Sequence, residues 1–195
     1  MRPAIKLSGG RLKKQFDESK LSLVVSDSFV FNLFFVWSIL VKLTILRALP
    51  GAGKSTATVP LEAAGAAVAS ADNFPGLYTY NVDGTVSIDV TKLDEAHGAS
   101  YRTAIEALQS GQDCVVDNTN LSADEVLPYV AIAQAFRADC AIVTLKVNPE
   151  TAFARQTHGV PREVFFDRMV PTFEAFEPPF HWQFLSWLET YEVSS

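Results

Sequence analysis

Cysteine, histidine and positive charge are all scarce in this 195-residue sequence. The two cysteines, Cys114 and Cys140, lie in apolar stretches where a thiol behaves as a small buried hydrophobe, so a disulfide framework is excluded and a cytoplasmic location is favoured. The three histidines, His97, His158 and His181, lack metal-ligand spacing, and we expect no zinc site. The net charge of -6 argues against broad nucleic-acid binding, because such binding relies on neutralising phosphates.

A long uninterrupted hydrophobic run is also missing. The apolar run 29–41 follows a basic stretch but is shorter than the roughly 18 residues that a membrane span needs. It continues through Lys42 into a predicted core strand without a linker, so a membrane anchor and a signal peptide are the less favoured interpretations. We interpret residues 1–40 as an extension without an assigned role, or as sequence upstream of the native start, and expect it to be dispensable. Residues 41–195 then form one domain, since a chain of this length buries one substantial core.

Short β-rich runs alternate with longer helical segments from residue 43 onward, which is typical of a parallel α/β sheet flanked by helices. The predicted strands are 43–47, 67–70, 114–117 and 141–147. Predicted helices begin near Lys54 and cover 93–109 and 123–136. We expect Pro60 to kink the first helix or end it early, and we interpret 75–90 as a loop.

One glycine-rich segment lies between the first predicted strand and the helix that follows it. It reads Ala48-Leu49-Pro50-Gly51-Ala52-Gly53-Lys54-Ser55-Thr56. This context is the one that a Walker A loop requires, although Ala48 replaces its first glycine. The backbone N–H groups and the helix N-terminus favour phosphate, Lys54 can reach the outer phosphates, and Ser55 can bind Mg²⁺. We therefore predict that residues 49–56 bind ATP with Mg²⁺.

Two predicted strands end in polar residues. Asp72 lies two residues beyond the strand 67–70, at the edge where ligands bind in parallel sheets, and could accept the proton of an attacking hydroxyl group. The alternative for Asp72 is a helix cap or turn residue. Asp117 is predicted to stand behind Mg²⁺. The residues predicted to bind a polar acceptor, or alternatively to form a capped turn, are Asn118, Thr119 and Asn120.

The region 155–168 contains several basic residues around the turn His158-Gly159-Val160-Pro161. Small P-loop kinases close an arginine-bearing lid over the transferred phosphoryl group, which excludes water and neutralises charge. We predict Arg155 as the catalytic lid arginine, with Arg162 and Arg168 as the other candidates. The alternative is that these arginines are ordinary solvated surface residues.

Together these motifs resemble the polynucleotide-kinase-like P-loop kinases, a group that includes the bacteriophage 5′-hydroxyl polynucleotide kinase and the AAA-type ATPase domain of the NEDD4-binding proteins. The motifs are 46–56, Ser70-Ala71-Asp72, Asp83-Gly84-Thr85, Glu95-Ala96-His97, Val116-Asp117-Asn118-Thr119-Asn120 and His158-Gly159-Val160-Pro161, within residues 41–177. The resemblance implies a P-loop NTPase/kinase fold with an arginine-bearing lid, and Asp72 as the general base. It also implies Lys54 and Ser55 on phosphate and Mg²⁺, Asn118 at the acceptor and Arg155 on the lid. Pro75 stands where the phage enzyme has an arginine that contacts a substrate phosphate.

The sequence therefore predicts a kinase that moves the γ-phosphoryl group of ATP to a hydroxyl acceptor, with a polynucleotide 5′ end as one candidate. A zeta-toxin-like or other small-molecule kinase is the alternative among enzymes. A second alternative is a binding or regulatory module that responds to ATP without transfer. Asp72 separates the last alternative from the others, because a module of that kind needs no base beside an acceptor.

Overall fold

The computed structural model describes residues 41–194. The predicted extension, residues 1–40, lies outside this part of the chain, so its role and its dispensability stay predictions. Within residues 41–194, no helix is both long and apolar enough to cross a membrane.

A five-stranded parallel sheet forms the centre of the described domain. Its strands are β1 (Lys42–Arg47), β2 (Ala67–Ala69), β5 (Cys114–Asp117), β6 (Asp139–Lys146) and β7 (Leu188–Ser194), in the order β2-β5-β1-β6-β7. All four neighbouring pairs are parallel. A separate antiparallel hairpin consists of β3 (Tyr78–Tyr80) and β4 (Val86–Ile88). Four of the six residues of β1 are buried, because this central strand is covered on both faces.

Helices connect these strands on both faces of the sheet. They are α1 (Lys54–Ala63), α2 (Leu93–Gln109), α3 (Ala123–Phe136), α4 (Pro149–Arg155), α5 (Arg162–Val164) and α6 (Val170–Glu174). A π-helical stretch, Phe165–Met169, joins α5 to α6. The larger core cluster packs α2 and α3 against the sheet, and Leu43 and Ile45 are completely buried in it. Burial of an aliphatic side chain of this size stabilises the fold by about 2 kcal/mol.

The sequence-based boundaries agree with the structure for α2 and α3, whereas one other prediction was wrong, a second was wrong in part, and one strand was not predicted. The segment 75–90 contains the β3–β4 hairpin instead of being only a loop. Pro60 does not end α1: the helix continues to Ala63, and the Pro60 carbonyl oxygen accepts a hydrogen bond from the Ala64 N–H. The alternative, a kink at Pro60, stays a prediction. Strand β7 was not predicted, because this edge strand is mostly exposed and has no apolar run.

Candidate active site

The carboxyl ends of β1, β2 and β5 border a cleft of about 580 Å³. It collects side chains from distant parts of the sequence. Predicted site residues that line it are Pro50, Gly51, Gly53, Lys54, Ser55, Thr56, Asp72, Asp117, Asn118, Thr119 and Arg155. The fold thus brings the predicted phosphate loop, the predicted base and the predicted lid arginine to one cavity.

The P-loop connects β1 to α1, and a backbone hydrogen bond from another segment holds it in place. Ala48 donates its N–H to the carbonyl oxygen of Thr119 at 3.0 Å, which ties the loop to the segment after β5. Gly53 precedes α1, and no side chain caps this helix end. The N–H groups of the first turn have no partners within the helix, so they are suited to bind an anion. Leu49 and Ala52 are buried in the smaller core cluster, and only their backbone atoms are suited to contact a nucleotide.

Helix α4 packs directly on the P-loop at Gly51. This glycine has φ +78°, and a Cβ atom there would lie 2.1 Å from the carbonyl oxygen of Ala152. Only glycine fits this contact, because any side chain would collide with the backbone of α4. Arg155 is the last residue of α4 and lines the cleft. The close packing therefore holds the helix that carries Arg155 against the phosphate loop.

The other two candidate lid arginines have different surroundings. Arg162 is exposed, forms an ion pair with Glu150 at 2.9 Å and lies over the ring of Phe166 at 4.3 Å. Arg168 is exposed, and neither arginine lines the cleft. Among the three predicted lid arginines, Arg155 is therefore the one that the structure brings to the cleft.

Lys54 is half-buried at the start of α1 and faces the cleft with its charge largely uncompensated by close contacts. Burial lowers the pKa of the Lys54 ammonium group, and the more distant carboxylates of Asp117 and Asp72 oppose that effect. In the described part of the chain, no carboxylate oxygen lies within 4.0 Å of its Nζ atom. An ammonium group in this position is suited to donate hydrogen bonds to phosphate oxygens.

Ser55 and Asp117 both line the cleft and could hold a Mg²⁺ ion, Ser55 as a direct ligand and Asp117 from behind it. Asp117 is half-buried at the end of β5, and Thr58 donates a hydrogen bond to its Oδ2 atom at 3.1 Å. Burial raises the pKa of the Asp117 carboxyl group, although Lys54 and the Thr58 hydroxyl lower it. Residues 41–194 contain no cluster of three or more metal-binding side chains. Mg²⁺ usually takes one or two protein oxygens plus substrate phosphates, so these residues fit that ion.

Asp72 lies on the short 3₁₀ turn Ala71–Asn73 directly after β2, and two other segments contact its carboxylate. Tyr78 of β3 donates a hydrogen bond from Oη to Asp72 Oδ1 at 2.9 Å. His158, in the turn after α4, places Nε2 at 3.7 Å from Asp72 Oδ2. The rings of Tyr78 and His158 also contact each other, with centroids 5.1 Å apart. Neither Tyr78 nor His158 was predicted beside Asp72, because no sequence motif links these positions.

The hydrogen bond of Tyr78 has an electrostatic consequence. Burial raises the pKa of the Tyr78 phenol, and the charge of Asp72 raises it further. Tyr78 therefore stays protonated near neutral pH and acts as a hydrogen-bond donor to Asp72. This leaves Asp72 Oδ2 as the oxygen that does not accept from Tyr78.

Two of the three predicted acceptor-binding residues have structural roles. Asn118 is buried: its Oδ1 atom accepts from the Ala71 N–H at 2.8 Å, and its Nδ2 atom donates to the Tyr129 hydroxyl at 2.9 Å and to Ser100. Asn120 is also buried and donates from Nδ2 to the carbonyl oxygen of Leu46 at 2.6 Å. Their amide groups fasten neighbouring segments because interior polar groups need partners. Asn118 also lines the cleft, as does Thr119, which is half-exposed, and acceptor binding by these residues stays a prediction.

A second cavity, of about 510 Å³, lies near the carboxyl ends of β1, β6 and β7 and contains one of the predicted site residues, Leu49. Arg47 lines it and donates hydrogen bonds to the carbonyl oxygens of Leu121, at 3.2 Å, and Phe173. The guanidinium group lies between the rings of Phe173 and Phe176, at 4.1 and 4.0 Å. Burial lowers the pKa of Arg47 to about 10, so it remains charged at neutral pH. We interpret Arg47 as a structural residue that holds the C-terminal segment beside the P-loop.

The family model described as AAA domain matches residues 43–164 of the chain. Among curated proteins, NEDD4-binding protein 2 of Homo sapiens is 31% identical over 141 residues. That match covers 69% of this chain but only 8% of the human protein. The chain thus resembles a small part of a much longer relative.

Solved structures with a similar fold include Chaetomium thermophilum Kti12 in complex with ADP-AlF3. It has a TM-score of 0.53 at 15% identity, with 78% of this chain and 88% of that chain covered. A putative kinase from Chloroflexus aurantiacus has a TM-score of 0.52 at 16% identity, with coverage of 80% and 89%. At these identities the likeness concerns the fold, and it confirms the predicted P-loop kinase architecture.

Proposed function

The chain belongs to the AAA-domain family of polynucleotide-kinase-like P-loop proteins, and from this membership and the cleft we propose that it is an ATP-dependent kinase. The proposed reaction transfers the γ-phosphoryl group of ATP to a hydroxyl group. One observation carries the proposal: Lys54, Asp72 and Arg155, which come from three separate segments, line one cleft. A phosphoryl transferase needs these three charges around a single reaction centre.

On the donor side, the first turn of α1 would hold the phosphates through its N–H groups, and Lys54 would bind the outer phosphate oxygens. Mg²⁺ at Ser55, with Asp117 behind it, would neutralise phosphate charge when bound. Arg155 would contact the transferred group from α4. Its positive charge is most useful as negative charge redistributes during transfer, so it should affect turnover more than ATP binding.

On the acceptor side, Asp72 would take the proton of the attacking hydroxyl group. The acceptor oxygen then forms a bond to the γ-phosphorus, the bond between that phosphorus and the bridging oxygen breaks, and ADP leaves with the electron pair. Tyr78 already donates to Oδ1, so Oδ2 is the proton acceptor in this proposal. Thr119 supplies a hydroxyl group that lines the same cleft.

A binding or regulatory module without transfer is the competing proposal. The proximity of Asp72 to the P-loop favours the kinase, because nucleotide binding alone does not require an exposed carboxylate beside the phosphate loop. The human relative does not decide between them, since this chain spans 8% of its length.

The decisive experiment incubates the purified protein with γ-labelled ATP and Mg²⁺. Acceptors are 5′-hydroxyl DNA, 5′-hydroxyl RNA, nucleosides and a panel of hydroxylated metabolites. We expect label in one acceptor class and its loss in the Lys54→Ala and Asp72→Asn variants. Tight, Mg²⁺-dependent ATP binding without label in any acceptor would favour the regulatory module.

A further inference from the structure

The turn after α4 lies against the β3–β4 hairpin. Gly159 has φ +67°, and a Cβ atom there would lie 3.1 Å from the carbonyl oxygen of Val86 in β4. The side chain of Gln156 bridges the turn: its Oε1 atom accepts from the Val160 N–H at 3.0 Å, and its Nε2 atom donates to the Val160 carbonyl oxygen at 3.3 Å. The glycine contact and the glutamine bridge hold His158, which lies between them, beside the hairpin.

His158 faces Asp72 across a gap that is too wide for a direct hydrogen bond. Its Nε2 atom is 3.7 Å from Asp72 Oδ2, whereas an N–H group usually donates over about 2.7–3.2 Å. Tyr78 donates to the other carboxylate oxygen and contacts the His158 ring. The side chains of His158 and Asp72 are 33% and 42% exposed, so an oxygen atom of a ligand can reach the gap. One oxygen atom can lie within hydrogen-bond distance of both Nε2 and Oδ2.

The surroundings of the His158 ring indicate which tautomer fits this position. Within residues 41–194, its Nδ1 atom is buried and has no hydrogen-bond partner. A proton on Nδ1 would therefore be a buried donor without an acceptor, and the Nε2 lone pair would face the negative charge of Asp72. The tautomer with its proton on Nε2 avoids both costs. It directs an N–H donor toward the gap.

From these contacts we propose that His158 donates a hydrogen bond from Nε2 to the oxygen atom of the hydroxyl group that is phosphorylated. This inference rests on the proposed kinase function and adds a second protein contact to the attacking hydroxyl. The hydroxyl oxygen fills the gap, accepts from Nε2 and gives its own proton to Asp72 Oδ2. Its other lone pair forms the bond to the γ-phosphorus, the bond from phosphorus to the bridging oxygen breaks, and ADP leaves with the electron pair. His158 keeps its proton.

The position of His158 in the chain joins the two substrates. Arg155, which lines the cleft at the end of α4, is three residues before His158. Helix α4 packs on Gly51 of the P-loop without room for a side chain. One short segment thus carries a contact to the transferred phosphoryl group and a contact to the attacking hydroxyl. Such an arrangement fixes the distance between the reacting atoms, which is a large part of catalysis in phosphoryl transfer.

Two substitutions of His158 separate the donor from the ring. His158→Phe keeps an aromatic ring beside Tyr78 but removes the N–H group, and we expect kcat to fall by about 10-fold, the effect of one lost hydrogen bond. His158→Gln supplies an amide N–H group instead of the ring and should keep kcat within about 3-fold of the wild type. Both should change ATP affinity by less than about two-fold. The acceptor is the compound of the panel above that the wild-type protein labels.

The control is His181→Phe, an exposed histidine that does not line the cleft. Wild-type kcat in a folded His158→Phe protein would overturn the inference and leave the kinase intact. A loss in His158→Gln as large as that in His158→Phe would also overturn it, because the ring and not the donor would then matter. Failure of the wild-type protein to label any acceptor would overturn the proposed function, and this inference with it.

The tautomer gives a test that does not depend on activity. The chain has three histidines, and the signals of His158 are identified by their loss in His158→Gln. A long-range ¹H–¹⁵N correlation spectrum at pH 8, where a free imidazole is neutral, distinguishes the protonated ring nitrogen from the other. We expect the proton of His158 on Nε2. A proton on Nδ1 would overturn the inference, because Nε2 could then not donate to the hydroxyl oxygen.

Discussion

The two sides of the candidate cleft are built differently. The P-loop side joins the central strand, whose last three residues are buried, to a helix N-terminus, and Gly51 packs against the backbone of α4 without room for a side chain. The other side includes the β3–β4 hairpin, whose two strands have three residues each and are mostly exposed. In the proposed kinase, ATP binding would depend on backbone geometry that tolerates little change, whereas acceptor binding would depend on side chains of a short, exposed hairpin. Substitutions on the two sides should therefore separate ATP binding from transfer.

Lys54→Ala should have the largest effect, because it removes the lysine of the P-loop side of the cleft. We expect loss of detectable transfer together with weaker ATP binding, because within residues 41–194 no carboxylate oxygen lies within 4.0 Å of this ammonium group, and in the proposed reaction it binds the phosphates. Lys42→Ala, an exposed lysine at the start of β1, is the control. Transfer assays, ATP titration and circular dichroism would be combined. Wild-type turnover in a folded Lys54→Ala protein would be incompatible with the proposed role.

Asp72→Asn should separate phosphoryl transfer from ATP binding most clearly. We expect transfer to fall by about 100-fold or more, the scale of general-base catalysis, with ATP affinity changed only a few fold. The matched control is Asp83→Asn, an exposed acid in the turn between β3 and β4. Single-turnover transfer and equilibrium ATP binding are the measurements. A collapse of ATP affinity would instead assign Asp72 to Mg²⁺ binding or to structure.

Arg155→Ala should lower turnover by about 100-fold and weaken ATP binding much less, because a lid cation acts mainly on charge that develops during transfer. Arg168→Ala is the control, since Arg168 is exposed and outside the cleft lining. The split between kcat and ATP affinity is the readout. An unchanged kcat would move the lid role to Arg162 or Arg168.

Tyr78→Phe removes the hydroxyl group of β3 that donates to Asp72 and should lower kcat by about 10-fold, since a hydrogen bond to a charged group contributes roughly 1.5–3 kcal/mol. Tyr80→Phe, on the same strand and 72% exposed, is the control. The same substitution in the Asp72→Asn background should have almost no further effect if Tyr78 acts through Asp72. Additive effects of the two substitutions would contradict this coupling.

Chemical labelling of Cys114 and Cys140 tests the stability of the sheet that both sides of the cleft share. We expect the smallest effect in this experiment. Burial raises the pKa of each thiol to about 12. Because the folded-state pKa is raised, burial of the neutral thiols stabilises the fold fully below their ordinary pKa of 9.0, and this contribution is lost as pH rises through about 12. At pH 8 we expect a thiol reagent to label both residues only after unfolding in urea. Rapid labelling of the native protein would indicate that β5 and β6 open easily.

Much of the fold could be predicted because periodicity and glycine placement report on local structure. Helices α2 and α3 have the predicted bounds, and the strand–loop–helix context of the P-loop was evident from the sequence. The β3–β4 hairpin was missed because its strands are short and half-exposed, so apolar residues do not alternate over a useful length. Asn118 and Asn120 show another limit: a polar cluster after a strand does not reveal whether its amides face a ligand or the interior.

The sequence by itself determined the phosphate loop, because Gly51, Gly53, Lys54 and Ser55 act through local backbone conformation and spacing. It also placed Asp72 and Asp117 at the ends of strands that parallel pairing brings to one edge of the sheet. Only the tertiary structure decided which residues surround them. Tyr78 and His158, separated by 80 positions in the chain, meet at one carboxylate because the hairpin and the turn after α4 fold over the same edge. Long-range contacts of this kind depend on packing between elements, and no local pattern encodes them.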